Sequence, residues 1–208
     1  MRYSIEKISR ERLKNMQTTK EKLLSVLVSY IKEGVNLDSI SLSTIASEAE
    51  IGKSTVYEYF ASKEEMICET YKYLLSQYED ILTSDIESMD FKGAFIEQIQ
   101  KILSVMKDAK TLMDAIMNSH HEAFMRFDDS IPKHMSQIQE KMNERFTGII
   151  YLGVVEGVLE QREPKPYIRN VIQAVVSGLL YQYVNKEIEI SEDDLCELIF
   201  THVLQLLK

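Results

Sequence analysis

The segment that most constrains this chain is residues 40–63, which read ISLSTIASEAEIGKSTVYEYFASK. Ser41 stands at a helix N-cap position, where its hydroxyl can accept a backbone N–H of the first turn. Apolar residues then recur at helical spacing, and the pattern breaks at residues 50–52. It resumes in residues 53–60. The segment therefore predicts two short helices joined by a tight turn.

The second of these helices has two different faces. Val56 and Phe60 lie one turn apart and face inward, whereas Ser54, Thr55 and Tyr57 are left on the other faces. Short polar and aromatic side chains on the outward face of the second helix fit a helix-turn-helix whose recognition helix enters the major groove of DNA.

A longer set of residues around the two helices carries a family signature. It comprises Ile45-Ala46, Ala49, Ile51, Ser54-Thr55-Val56-Tyr57-Glu58-Tyr59-Phe60 and Ser62-Lys63-Glu64-Glu65-Met66. This set resembles the N-terminal signature of the TetR family of dimeric bacterial transcriptional regulators. The resemblance implies an all-α fold with an N-terminal three-helix helix-turn-helix domain, residues 1–63. A C-terminal helical ligand-binding and dimerisation domain, residues 64–208, would follow.

The turn departs from the family pattern at two positions. Glu50 stands where the family has glycine, which predicts a positive φ at a cost of about 1 kcal/mol. Gly52 stands at the recognition-helix cap in place of serine or threonine, and this costs only a few tenths of a kcal/mol. Neither departure removes the motif.

The residues and the resemblance together predict the DNA contacts. Ser54 and Thr55 are short enough to reach base edges. Tyr57 matches a recurrent phosphate contact of the family, and Lys63 opens the next helix, where a cation and backbone amides together favour an anion. The predicted DNA-binding residues are Ser41, Ser43, Lys53, Ser54, Thr55, Tyr57, Tyr59 and Lys63.

The charge of the chain is unevenly distributed. The net charge is −9, but residues 1–63 hold 10 Lys+Arg against 8 Asp+Glu, leaving 14 against 25 in the remainder. The helix-turn-helix therefore lies in the only positive part of a chain whose overall charge disfavours nucleic acid. For the basic residues of the first 17 positions two interpretations stay open: a solvated lead-in, or an arm that follows a phosphate strand or enters the minor groove.

The rest of the chain is predicted to be helical. Only 7 Gly and 3 Pro occur in 208 residues, and no β-type alternation persists. The first helix is predicted between Thr18 or Thr19 and Gly34, and further helices at residues 64–84, 91–107, 111–127, 132–159, 166–186 and 192–207. The helix at 64–84 runs out of the DNA-binding domain and is the natural lever between the two domains.

Two helices near the end of the chain carry wide apolar faces, and two interpretations compete for them. They form intramolecular core, or they meet their mates across a two-fold axis, as a palindromic operator requires. The second interpretation is preferred and predicts a homodimer. The predicted interface residues are Val171, Val175, Leu179, Leu195, Ile199 and Val203.

The middle helices are rich in methionine and aromatic residues, which line adaptable apolar pockets but also form ordinary cores. The candidate pocket for a small-molecule effector comprises Met106, Met113, Met117, His120, Phe124, Met142, Phe146 and Tyr151. No catalytic constellation, metal-ligand spacing or phosphate loop is present, so neither an enzyme nor a cofactor is predicted.

The sequence therefore predicts a ligand-responsive, DNA-binding transcriptional regulator, with repression as the family default. It would bind a palindromic DNA operator as a dimer. The alternative is a helical carrier of small molecules whose helix-turn-helix no longer reads DNA. Met1 to Lys20 is charged throughout, no apolar run is long enough to span a membrane, and Cys68 and Cys196 are predicted to be reduced, all of which favours the cytoplasm.

Overall fold

The computed structural model describes residues 18–35, 37–118, 130–161 and 166–208. In this part of the chain the secondary structure consists of α-helices and one 3₁₀ turn, Leu37–Ser39. The helices are α1 Thr19–Lys32, α2 Leu42–Glu48, α3 Lys53–Tyr59, α4 Lys63–Thr83, α5 Phe91–Asn118, α6 Ser130–Val155, α7 Ile168–Val184 and α8 Glu192–Leu207. The predicted all-α fold is confirmed. None of the described helices is long and apolar enough to cross a membrane.

The helix ends follow from local sequence where a cap is present. Thr18 accepts the Glu21 backbone N–H while the Glu21 carboxylate accepts the Thr18 N–H, a reciprocal capping box that starts α1. Gly34, at φ +75°, ends the same helix through a bond from the Val35 N–H to the Tyr30 carbonyl. Ser191 caps α8 by accepting the Asp194 N–H.

Three predicted boundaries are corrected. Residues 91–107 and 111–127 were predicted as separate helices, but α5 runs unbroken from Phe91 to Asn118, because Asp108-Ala109-Lys110 contains neither glycine nor proline. Residues 119–127 of the second prediction lie outside the described part. Helix α6 begins at Ser130 and ends at Val155 rather than Leu159, since Gly157 takes φ +73°. Helix α7 begins at Ile168, after Tyr167 at φ +62°.

The described residues belong to two compact units, and α4 contributes to both. Its residues up to Leu74 belong with α1, α2 and α3, and the last residues of α5 from Asp114 belong to the same unit. Its residues from Leu75 belong with the first part of α5 and with α6, α7 and α8. Cys68 lies in the first unit and Cys196 in the second, and no disulfide occurs in the described part of the chain.

The core of the second unit is built around four phenylalanine rings. Phe91 and Phe95 of α5 pack against each other and against Phe200 of α8, and Phe95 also packs against Phe146 of α6, with ring centroids 5.5–6.5 Å apart. Such edge-to-face pairs add about 0.5–1.5 kcal/mol each beyond the burial of their area. The rings join α5, α6 and α8 in one core.

The C-terminal end of α4 is held by side chains of α5 and α6. The Gln98 Nε2 donates to the Leu82 carbonyl at 3.1 Å, the Arg145 guanidinium donates to the carbonyls of Thr83 and Ser84, and Lys101 donates to the Ser84 carbonyl at 3.1 Å. These bonds satisfy carbonyls that the helix leaves without a partner, and the two cations favour the negative end of its dipole.

One turn earlier on α4, Glu79 is a second point of attachment. Its carboxylate accepts from Lys141 and from the His134 Nε2, both on α6. The Lys141 and His134 bonds lower the pKa of Glu79. His134, Lys141 and Arg145 are spaced by seven and then four residues, so one face of α6 carries three side chains that bind the C-terminal part of α4.

Candidate nucleic-acid interface

The helix-turn-helix is fixed by a small set of buried side chains. Val56 and Phe60 of the second helix are 1% and 3% exposed, and Ile45, Ala46 and Ala49 on the first helix are buried as well. The alanines leave room for α3 to lie close against α2. The predicted division of α3 into an inward face and an outward face is confirmed at Val56 and Phe60.

The start of α2 is capped as predicted. The Ser41 Oγ accepts the Thr44 N–H at 3.1 Å and lies 2.8 Å from the Thr44 hydroxyl. Ser41 and Ser43 are exposed. The end of the helix is tied to α1, since the Tyr30 hydroxyl bonds to the Glu48 carboxylate and this bond raises the pKa of Tyr30 to about 12.

The turn between α2 and α3 takes the predicted left-handed conformation at Glu50, with φ +56°. The Ile51 N–H bonds to the Ala46 carbonyl at 2.9 Å and the Glu50 N–H to the Ser47 carbonyl at 3.2 Å, which is the Schellman arrangement that ends α2. Gly52 then caps α3 with no side-chain hydrogen bond. A non-glycine residue therefore occupies the position at which the turn requires a positive φ.

The outward face of α3 exposes the side chains that were predicted to contact DNA. Lys53 and Ser54 are exposed, Thr55 is half-buried, and Tyr57 and Tyr59 are 56% and 41% exposed. Lys53 and Tyr57 are one turn apart and share a face of the helix. The helix thus presents a cation, short hydroxyls and two phenols to the outside.

Lys63 was predicted to contact a phosphate, which suggests a side chain that faces solvent, but it is placed differently. It is half-buried, and its Nζ donates to the Ile40 carbonyl at 2.8 Å, just before the Ser41 cap. Its helix begins with a cap in which the Ser62 Oγ accepts the Glu65 N–H. The ammonium therefore lies beside the N-terminus of α2 and ties α4 to the preceding turn.

Lys20 has a structural role that sequence reasoning missed. Its ammonium pairs with the Glu69 carboxylate at 3.0 Å and lies 5.4 Å from the centre of the Phe60 ring. The Lys20 hydrogen bond lowers the pKa of Glu69. No short-range sequence pattern signals this contact, because Lys20 and Glu69 are 49 residues apart.

The predicted effector residues do not form one group. Met142 is buried at 8% exposed, and Met106 and Phe146 are partly buried against the phenylalanine core, whereas Tyr151 is 67% exposed and lies on the surface. The inclusion of Tyr151 in an interior pocket is therefore corrected. Met113 and Met117 fall in the last turns of α5, and His120 and Phe124 lie outside the described residues.

The predicted dimer residues divide between the two helices. Leu195, Ile199 and Val203 of α8 are 0–1% exposed within the single chain, so they have no surface to give to a second subunit, and the predicted set is corrected at these positions. On α7 the three residues keep exposed surface, and Val171 is 44% exposed.

An apolar groove of about 530 Å³ runs along the outside of α7 and α8. Two predicted residues line it, Val175 and Leu179, together with small residues of α7 and with residues near the C-terminal end of α8 that were not in the predicted set. The lining residues are Ala174, Val175, Gly178, Leu179, Gln182, His202, Gln205 and Leu206.

Comparisons with known proteins bear on the helix-turn-helix and on the fold. Residues 35–70 match the family described as bacterial regulatory proteins, tetR family. This match spans α2, α3 and the first turns of α4, and it confirms the resemblance inferred from the sequence. No curated protein matches the chain at a significant level.

Several solved structures have the same fold at low sequence identity. A TetR transcription regulator from Haloarcula marismortui is 15% identical with a TM-score of 0.60, covering 91% of this chain and 96% of that one. The transcriptional regulator FadR from Bacillus subtilis, solved in complex with stearoyl-CoA, is 18% identical with a TM-score of 0.57, covering 90% and 98%. A putative TetR-family regulator from Mesorhizobium loti is 20% identical with a TM-score of 0.58, covering 91% and 95%.

Proposed function

The chain carries the helix-turn-helix segment of the tetR family of bacterial regulatory proteins, and on that premise we propose that it binds duplex DNA as a dimer and regulates transcription in response to a small molecule. The observation that carries the proposal is the two-sided α3. Val56 and the following Phe60 are buried, Thr55 is half-buried, and Lys53, Ser54, Tyr57 and Tyr59 are exposed. A helix built in this way is suited to enter a major groove.

We assign different tasks to the exposed side chains. Tyr57 donates its hydroxyl to a phosphate while its ring covers the neighbouring sugar, and Lys53 on the same face neutralises a phosphate or reaches a guanine. Ser54 and Thr55 meet base edges directly or through water. Ser41, Ser43 and Tyr59 complete the contact along the backbone. Lys63 attracts a phosphate through its charge beside the N-terminus of α2, and its side chain does not extend to the phosphate.

The groove along α7 and α8 is the proposed dimer interface. Its small residues, Ala174 and Gly178, permit close helix crossing, and Val175 and Leu179 supply apolar surface. A second copy of the chain, related by a two-fold axis, would cover the groove. The two copies of α7 and the two copies of α8 would then form a four-helix interface. That symmetry matches a palindromic operator with half-sites on successive turns of DNA.

Regulation is assigned to residues 64–208 and DNA contact to residues 1–63. An effector would bind among the middle helices and act on α4, the helix that begins at Lys63 and ends at Thr83. Lowering operator affinity 100-fold needs about 2.7 kcal/mol of differential binding, which one well-filled pocket supplies. Repression is the proposed outcome.

The competing function is a small-molecule carrier that does not bind DNA. The acidic balance of the chain favours it, since residues 64–208 hold 14 basic against 25 acidic residues. The exposed phenols of α3 favour the regulator, because a carrier has no use for an exposed Tyr57. We propose no enzymatic activity.

The decisive experiment compares Tyr57→Phe with the wild-type chain in binding to the duplex that flanks its own coding region, measured by fluorescence anisotropy. Loss of one hydrogen bond to phosphate should weaken binding about tenfold, corresponding to about 1.4 kcal/mol. Tyr167→Phe makes the same chemical change at an exposed position outside α3 and should bind like the wild type.

The wild-type affinity should also fall steeply as salt is raised, because phosphate contacts release counterions. Wild-type binding that is absent, or that is insensitive to both salt and Tyr57→Phe, would favour the carrier.

A further inference from the structure

Gln98 on α5 is a fully enclosed polar side chain with half of its amide in use. It is 0% exposed. Its Nε2 donates to the Leu82 carbonyl at 3.1 Å and lies 3.6 Å from the Met142 sulfur. Since a carbonyl can only accept, the Leu82 bond fixes which end of the amide is nitrogen. The Oε1 therefore points elsewhere, and no donor in the described part of the chain reaches it.

An enclosed acceptor without a donor is expensive. The desolvation penalty of such a group is about 1–3 kcal/mol, and native proteins keep few of them. A leucine or methionine at this position would avoid that cost. A hydrogen-bond donor on a bound ligand would remove this cost.

The surroundings of Gln98 restrict what that donor can be. Three of its four neighbours one turn away on α5 are apolar: Ala94, Phe95 and Ile102. The fourth, Lys101, donates to carbonyls just after α4 and pairs with Glu97. Met142 contributes an adaptable thioether. A charged ligand group would be buried without a partner here, and an acceptor would be repelled by the Oε1.

We propose that the Gln98 Oε1 is the polar anchor of the effector site, and that the effector is an uncharged, largely apolar molecule carrying one hydroxyl or N–H donor. This inference rests on the proposed ligand-responsive function and names the ligand class of that site. Three apolar residues that the sequence singled out belong to the same unit: Met142 is buried beside the amide, and Met106 and Phe146 are partly buried against the core.

The same side chain connects the ligand to the lever. The Nε2 of Gln98 holds the Leu82 carbonyl in the last turn of α4, next to the carbonyls that Arg145 and Lys101 hold. A ligand that binds the Oε1 therefore acts on an amide already attached to α4. Gln98 is both the residue that recognises the ligand and the residue that positions this end of the helix.

The test uses two isomeric probes of equal size, 1-octanol, which donates a hydrogen bond, and heptyl methyl ether, which cannot. Binding is measured by calorimetry and by the NMR shift of the Met142 methyl group. We expect the wild-type protein to bind the alcohol about tenfold more tightly than the ether, the effect of one hydrogen bond. The Met142 methyl signal should move with the alcohol.

Gln98→Met keeps the length of the side chain without its amide and should bind both probes alike. Gln100→Met makes the same change at an exposed position of the same helix and should keep the preference for the alcohol. Equal binding of the two probes by the wild type, or no binding of the alcohol up to its solubility limit, overturns the inference. These two outcomes need only the wild-type chain and hold even if Gln98→Met does not fold.

DNA binding without any probe separates this inference from the proposed function. A chain that binds its duplex but shows no preference for the alcohol refutes the anchor alone. A chain that prefers the alcohol but binds no duplex supports the anchor in a carrier and refutes the regulator.

Discussion

At the scale of single residues, Glu50 carries the clearest strain in the helix-turn-helix. Its φ of +56° is one that residues with a Cβ rarely adopt, and the turn holds it there through the Ile51 N–H bond to Ala46. Glu50→Gly should raise the free energy of unfolding by roughly 0.5–1 kcal/mol. Relief of about 1–2 kcal/mol of strain is partly offset by the greater freedom of glycine in the unfolded chain.

Chemical denaturation measures this effect, and Ser47→Gly is the matched control. Ser47 is exposed within α2, where glycine is unfavourable, so this change should lower stability by roughly 0.5 kcal/mol. Two substitutions to glycine three residues apart are thus predicted to act in opposite directions. A loss of stability in both would show that Glu50 is not strained.

Single residues also show where sequence reasoning ends. The cap at Ser41 and the buried Val56 follow from local patterns, the positive φ at Glu50 follows from the family resemblance, and all three are confirmed. The partners of Lys20 and Lys63 do not follow, since Glu69 is 49 positions and the Ile40 carbonyl 23 positions away. A lysine in a DNA-binding segment has the same sequence signature whether it faces phosphate or a carbonyl of its own chain.

At the scale of secondary-structure elements, the connection into α5 depends on one carboxylate. Glu97 accepts the N–H groups of Glu87 and Ser88 and pairs with Lys101. Burial alone would raise the pKa of Glu97, but the Ser88 N–H, Lys101 and the Glu87 N–H together lower it to about 2. The carboxylate thus fastens the loop before α5 to the helix itself.

This depressed pKa has a defined effect on stability. The contribution of Glu97 is fully present above its unfolded pKa, near 4.5, and is lost as pH falls towards 2. Glu97→Gln should lower the free energy of unfolding at pH 7 by an amount on the order of 2 kcal/mol. The acid limb of the stability curve between these pH values should be flatter in the variant.

Glu189→Gln removes an exposed carboxylate of the same unit and serves as the control for denaturation across pH. It should leave both stability and the acid limb nearly unchanged. An unaltered acid limb in Glu97→Gln would contradict the assigned role.

The existence of α8 was predictable from the sequence, but what covers its apolar face was not. Helix α8 was predicted at residues 192–207 and occurs there. Its apolar stripe was assigned to a partner subunit, yet Leu195, Ile199 and Val203 are buried by the chain itself. An apolar stripe has the same periodicity whether it is covered by the same chain or by another. Similarly, Gln98 appears in the sequence as an ordinary polar helix residue, and only packing makes it an enclosed one.

At the scale of the whole molecule, the distribution of charge follows the proposed division of labour. Residues 1–63 carry a net charge of +2 and the remainder −11, from 10 against 8 and 14 against 25 charged residues. An acidic body should repel DNA from every approach except that of the helix-turn-helix, which favours productive encounters. Dimerisation would place two such positive segments on one duplex.

The measurement that tests the central claim most directly is the number of protomers in the DNA complex, determined by sedimentation. The affinity for the duplex is measured on the same samples. The central claim is that a two-fold protein lays a pair of α3 helices on one duplex. It predicts a wild-type dimer and an even number of protomers per duplex. Ala174→Arg places a charged side chain in the α7–α8 groove without touching the core, so the variant should be monomeric and bind at least about tenfold more weakly.

Gln173→Arg adds the same charge on the neighbouring exposed residue, outside the groove, and should sediment and bind like the wild type. A wild-type chain that binds its duplex as a single protomer, or an Ala174→Arg variant that keeps full affinity as a monomer, would contradict the account.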